Sequence, residues 1–167
     1  MTAKIDHTQR FDADPGTVQQ MLLDPDFVVA KCLASGSIEA TAEIITEDGH
    51  TTLVSRRVLP AKLPGFAKKF VGDTLTLIET QQWHDPREDS RSASFMVDFG
   101  NNPIGFHGTV ELGPDGDATV VRTRGEVKCT VPFVGSKIEG IAKDWIGKYL
   151  AKEQSVGNDW LAGNRPG

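Results

Sequence analysis

Ile5, His7, Gln9 and Phe11 share one parity, against Lys4, Asp6, Thr8 and Arg10 on the other. That period of two predicts a first strand over 5–11 with one face turned inward. Asp14-Pro15 and Asp24-Pro25 follow, ten residues apart. Each pair combines an aspartate suited to the N-cap with a proline suited to the first helical position, where no N–H is wasted. Short helices are therefore expected over 15–23 and 25–34. Val18, Met21, Leu22, Phe27, Val28 and Leu33 are their apolar residues, and Ser35-Gly36 is the stop signal.

From Ser37 onward β-branched residues dominate, broken by turn signals at Asp48-Gly49, Gly100-Asn101-Asn102-Pro103 and Gly113-Pro114-Asp115-Gly116. Strands are expected over 37–47, 50–59, 72–84, 91–99, 104–112 and 118–131. With the first, that makes seven. Hairpin-length connections predict an antiparallel meander and exclude a parallel sheet. One connection, 60–71, holds two prolines and cannot be a strand. Its Leu63, Phe66 and Phe70 fall at helical spacing. It reads either as a surface loop pinned by its aromatics or as a lid over a cavity mouth.

The chain closes with its longest periodic segment. Ser136 and Glu139 fit a capping box, and the helix is expected to run to about Leu161, with Gly163 beyond it. At 1.5 Å per residue this is roughly 39 Å, enough to cross a whole sheet. Ile138, Ile141, Ala142, Trp145, Ile146, Tyr149, Val156 and Trp160 fall on one face, while Gly140 and Gly147 fall on the other. The fold class is therefore α+β, with one long helix lying on a curved antiparallel sheet and two short helices at one end. The space between a curved sheet and its helix is the usual place for an apolar ligand.

Composition narrows the function classes. A chain of 167 residues with 38% apolar and 25% charged residues is ordinary globular material, read as a single domain over 1–167. The net charge of −5 disfavours nucleic acid and anionic membrane surfaces as partners. Two isolated cysteines, Cys32 and Cys129, make neither a disulfide framework nor a redox motif. No signal peptide and no run of about 20 apolar residues is present, so the expected location is the cytoplasm, without integral membrane association.

The chain resembles the START-like (SRPBCC, helix-grip, birch-pollen-allergen-like) superfamily, and within it an actinobacterial branch classed as a domain of unknown function. The residues that carry this are Ala13-Asp14-Pro15 through Leu23-Asp24-Pro25-Asp26-Phe27, Leu63-Pro64, Val71-Gly72 and Glu79-Thr80 through Trp83. Gly108 through Leu112 and Val131-Pro132-Phe133-Val134-Gly135 through Glu139 complete them. The resemblance implies a helix-grip fold and a cavity. It implies no reaction, since the superfamily hosts carriers, hormone binders, cyclases and chaperone activators.

No nucleophile elbow, P-loop, dinucleotide fingerprint or metalloprotease motif occurs, so no catalytic residue, metal or cofactor is assigned. His7, His50, His84 and His107 are scattered, and the parity of Ile104, Phe106, Val110 and Leu112 turns His107 outward. Phe95, Val97 and Phe99 face in while Met96 and Asp98 face out. Leu75, Leu77 and Trp83 form an inward set on one strand, and Val121, Val127, Cys129 and Val131 on another. The expected cavity wall is Phe66, Phe70, Leu75, Leu77, Phe95, Val97, Phe106, Val121, Ile141, Trp145 and Tyr149. Core packing is the alternative for any of them.

Tyr149, the only tyrosine, reads as a structural hydrogen bond to the sheet or as an anchor for a ligand head group. Lys152 and Glu153 read as rim charges able to pair with a ligand carboxylate or hydroxyl. Arg56, Arg57, Arg122 and Arg124 read as solvated strand charges. The function expected is binding of an apolar or amphipathic small molecule, lipid-like or polyketide-like. The competing classes are a cyclase- or hydrolase-type enzyme using Tyr149 with Glu153, and a chaperone-activator-like interaction module, which requires an exposed apolar patch.

Overall fold

The computed structural model describes residues 2–88 and 90–165, and the side chains of residues 70 and 71 lie outside that description. The elements run β1 (Ala3–Phe11), α1 (Pro15–Leu22), α2 (Pro25–Ala34), β2 (Glu39–Glu47), β3 (His50–Pro60), α3 (Gly65–Val71) and β4 (Thr74–Trp83). They continue with β5 (Arg91–Asp98), β6 (Ile104–Asp115), β7 (Ala118–Cys129) and α4 (Gly135–Leu161). The strands form one seven-stranded sheet in the order β1-β7-β6-β5-β4-β3-β2, and every pairing is antiparallel. Each strand from β2 to β6 pairs with the next along the chain, β3 with β4 across the longer connection that holds α3. Only β1 crosses, to lie against β7. This is a helix-grip α+β fold.

Local chemistry accounts for the elements. Asp14 accepts from the Thr17 N–H at 3.2 Å and Asp24 from the Asp26 N–H at 2.9 Å, so both helices start with capped donors. The β2–β3 hairpin turns through Asp48 (φ 51°) and Gly49 (φ 79°), the left-handed pair that a two-residue turn requires. Gly108 of β6 faces Gly125 of β7. A Cβ on Gly108 would stand 1.9 Å from the Arg124 carbonyl oxygen, and one on Gly125 would stand 2.4 Å from that of His107. The strands approach closer than a side chain allows, which lets the sheet coil at this point.

Helix α4 packs on β1, β7 and α2. Its buried residues are Gly135, Ile138, Glu139, Leu150, Glu153, Gly157 and Trp160. That stripe is rotated by roughly 50° from the one the apolar residues alone define, because Glu139, Leu150, Glu153 and Gly157 join it. The capping box is not formed. The helix begins one residue before Ser136, and Val134 at its N-cap offers no side-chain bond. The Glu139 carboxylate instead accepts the Cys129 N–H at 2.8 Å, closing the end of β7. Leu33 is 48% exposed, because Lys31 and Cys32 take the buried positions of α2. The 60–71 connection contains a helix, α3, whose Ala67 packs on Cys129, Val131 and Ile138.

The interior divides in two. Phe11, Val18, Met21, Phe27, Leu112 and Trp160 fill the end nearest α1 and α2. Ile5, Leu75, Leu77, Phe95, Phe106 and Val127 form a second cluster under Trp145 and Ile146. Between these clusters the helix and the sheet stand apart.

Candidate functional site

The gap is a cavity of about 420 Å³, within the roughly 300–1,000 Å³ usual for small-molecule sites. Its inner wall is apolar: Leu77, Phe95, Val97, Phe106 and Val121 from the sheet, with Trp145 and Ile146 from α4. Phe95 and Phe106 meet edge to face at 4.8 Å. The exposed lining residues include Gly36, Lys62, Lys148 and Lys152, so the mouth opens between the end of α2, the end of β3 and the middle of α4.

A polar cluster stands at one side. Lys31 of α2 forms a buried ion pair with Glu153 of α4. The other Glu153 oxygen accepts from Gln9 Nε2 at 2.8 Å, and the same nitrogen donates to the Leu150 carbonyl at 2.8 Å. Tyr149 lies between two cations, with Lys31 Nζ 5.6 Å and the Arg57 guanidinium carbon 4.2 Å from its ring centroid. Its hydroxyl and Cys32 Sγ are 3.9 Å apart, and Arg57 Nη1 donates to the same sulfur at 3.8 Å. On β4, Trp83 Nε1 donates to Gln81 Oε1 at 3.1 Å, and Gln81 Nε2 donates to Glu79 Oε2 at 2.5 Å.

These surroundings set the charges. Desolvation pulls the Lys31 ammonium down, but the Glu153 carboxylate leads the opposing attractions and the net shift is upward. Burial pushes the Tyr149 phenol well above its ordinary value, against the pull of Lys31 and Arg57. At neutral pH Lys31 and Arg57 are therefore cationic and the Tyr149 phenol is neutral. Two further polar atoms of the lining, Gln9 Oε1 and Ser37 Oγ, are buried without a hydrogen-bond partner among the described residues.

Of the residues expected at the cavity wall, Leu77, Phe95, Val97, Phe106, Val121, Trp145 and Tyr149 line this cavity. Leu75, Phe66 and Ile141 are not among its lining residues, although Leu75 shares a hydrophobic cluster with Leu77, Phe95, Val97 and Phe106. Leu75 packs in the core with Ala61, and Phe66 packs against the separate cluster of Ala67, Cys129, Val131 and Ile138. Ile141 falls off the edge of the rotated helix stripe and is only half-buried. The side chain of Phe70 lies outside the described residues. Helix α3 contributes no wall among the described residues, although Pro60 and Lys62 just before it do.

Two charge assignments are corrected. Arg57 is not a solvated strand charge, being 9% exposed inside the cavity, and Glu153 is not at the rim. Sequence reasoning missed Lys31 altogether. The signals existed: Lys31 lies four residues from Phe27, and Arg57 shares parity with Leu53, Ser55 and Leu59. Cys32 and Cys129 are both buried, in separate clusters. No helix among the described residues is long and apolar enough to cross a membrane.

The fold is shared with solved structures. A protein from Thermus thermophilus superposes with a TM-score of 0.64 at 17% identity, over 96% of this chain and 99% of that one. A START superfamily protein from Mycobacterium smegmatis gives 0.61 at 16% identity, over 95% and 98%. Norcoclaurine synthase from Thalictrum flavum, solved in complex with dopamine and hydroxybenzaldehyde, gives 0.59 at 16% identity, over 100% and 90%. At such identities the likeness is one of fold. No curated protein matches by sequence. A family profile described as "Protein of unknown function (DUF2505)" matches residues 6–161.

Proposed function

The chain belongs to the DUF2505 family of proteins of unknown function, and from that premise we propose that it binds an apolar or amphipathic small molecule between α4 and the sheet. The observation that carries this reading is the cavity of about 420 Å³ with an aromatic inner wall and few, convergent polar groups. A domain this size gains stability by closing such a void with side chains, so an open one against Phe95, Phe106 and Trp145 suits a guest that supplies the missing contacts. The START superfamily neighbour fits a ligand-binding fold.

The enzyme reading draws on the norcoclaurine synthase likeness and needs a titratable pair free to meet a substrate. Tyr149 with Glu153 fits that role poorly, since both Glu153 oxygens are engaged, by Lys31 and Gln9. Binding is therefore the stronger reading. Native mass spectrometry after exposure to a bacterial lipid extract, paired with a thermal shift, tests it. A bound species of discrete mass and a raised Tm are expected. An unchanged mass and Tm across the extract would count against the proposal.

A further inference from the structure

Resting on that binding reading, we infer that the guest is an acidic amphiphile whose carboxylate sits on the guanidinium of Arg57, with its apolar body toward Phe95 and Phe106. Arg57 is buried in the cavity wall, yet no carboxylate among the described residues lies within ion-pair distance of it. Its hydrogen bond goes to a sulfur, Cys32 Sγ, and its face to the Tyr149 ring. A buried guanidinium carries five donors and stays charged at every working pH, so leaving it without a carboxylate or equivalent acceptor is costly.

Ser37 supplies the second donor. The Ile38 N–H donates to the Val58 carbonyl at 2.7 Å, which holds the 37–38 segment alongside 57–58. Ser37 is 8% exposed, lines the cavity, and its hydroxyl has no partner among the described residues. The charge balance agrees. The cavity lining contains Lys31, Arg57, Lys62, Lys148 and Lys152 against Glu79 and Glu153, a net positive site in a protein of net charge −5. Lys31 and Glu153 neutralise each other. Glu79 faces the cluster from β4 without closing a pair to Arg57, its carboxylate held by Gln81. The three exposed lysines at the mouth draw an anion inward. The planar fork of Arg57 then matches a carboxylate, where a lysine would offer only a point charge.

Calorimetric titration of the full chain with dodecanoate, dodecan-1-ol and methyl dodecanoate tests this, since the three share an apolar chain and differ at the head. The acid is expected to bind at least about tenfold tighter than the alcohol or the ester, the effect of one charge-assisted hydrogen bond. Arg57→Met keeps the stem and removes the fork. It is expected to abolish that preference while leaving the alcohol within about twofold of its original affinity. Glu79→Gln removes a like charge and is expected to tighten the acid.

Equal affinity for acid and alcohol overturns the inference and leaves the binding reading standing; no binding of any of the three also overturns the inference, and the lipid-extract measurement then decides the binding reading. A preference that survives Arg57→Met but disappears in Lys148→Gln/Lys152→Gln puts the head group at the rim and also overturns it. If Arg57→Met does not fold, the acid-to-alcohol ratio of the unmodified protein and the Glu79→Gln response still decide.

Discussion

Lys31 of α2 and Glu153 of α4 make an ion pair with both side chains buried, 5% and 9% exposed. It joins two elements that sequence order sets far apart, and it forms the polar flank of the cavity. Removing one partner of such a pair leaves the other charge buried alone, at a cost of about 3–5 kcal/mol. Glu153→Gln is therefore expected to lower the unfolding free energy by that order in urea denaturation. Lys31→Met combined with Glu153→Gln should recover most of the loss, because no lone charge remains. A single variant as stable as the parent would mean the pair is hydrated.

The glycines of α4 divide by what surrounds them. A Cβ on Gly157 would stand 2.5 Å from Phe11 Cε1 and 3.0 Å from Met21 Cε, and Phe11 is fully buried with no room to yield. Gly157→Ala is expected to cost about 1–3 kcal/mol through overpacking, in spite of the better helix former. Around Gly140 no described neighbour lies within 4 Å of the added Cβ, so Gly140→Ala should stabilise by up to about 1 kcal/mol. Thermal melts of the two variants should move in opposite directions, and a common direction would contradict the close packing of α4 on β1.

That contrast also marks what the sequence makes legible. Alternation, Asp-Pro caps and Asp-Gly turns are local signals, and they locate all seven strands and the helices α1, α2 and α4 closely. Inward parity carried Leu77, Phe95, Val97, Phe106 and Val121 to the cavity wall. The polar cluster was not legible in the same way. Lys31, Arg57 and Glu153 occupy inward positions by period, but a charge in such a position is usually solvated, and only the partner across the fold reverses that expectation. The pairing of residues 31 and 153 is a property of how α2 meets α4, which no local pattern states. The same holds for Glu139, whose carboxylate serves the end of β7 and not its own helix.

Filling the cavity from the helix side should separate stability from binding. Ala142 is half-buried on α4 and lines the open space. Ala142→Phe places a ring where the guest's apolar body would lie, adding apolar contact without displacing existing core. The variant is expected to melt at or above the parent temperature and to lose the ligand-induced thermal shift. A variant that keeps the full shift would move the guest away from α4. One that melts well below the parent would mean the space is already occupied by packed side chains.

Alkaline pH offers the cleanest reading of the cluster, because Tyr149 is the only tyrosine and its ionisation can be followed by absorbance without interference from another phenol. Burial raises the phenol's pKa in the folded state, and the attraction of Glu153, against desolvation, raises that of Lys31. For a group whose folded pKa lies above its unfolded one, the stabilisation is fully present below the unfolded value, about 10 for both residue types, and is lost as pH rises toward the folded value. These two groups therefore add no pH dependence between about pH 6 and 9, and together they make stability fall above about pH 10. The tyrosinate band is expected to stay absent at about pH 10–11 while circular dichroism remains native, and to appear together with unfolding. A phenol that ionises near pH 10 in the still-folded protein would show that water entering the cavity mouth reaches the Tyr149 hydroxyl, and the desolvation that raises its pKa would not then hold.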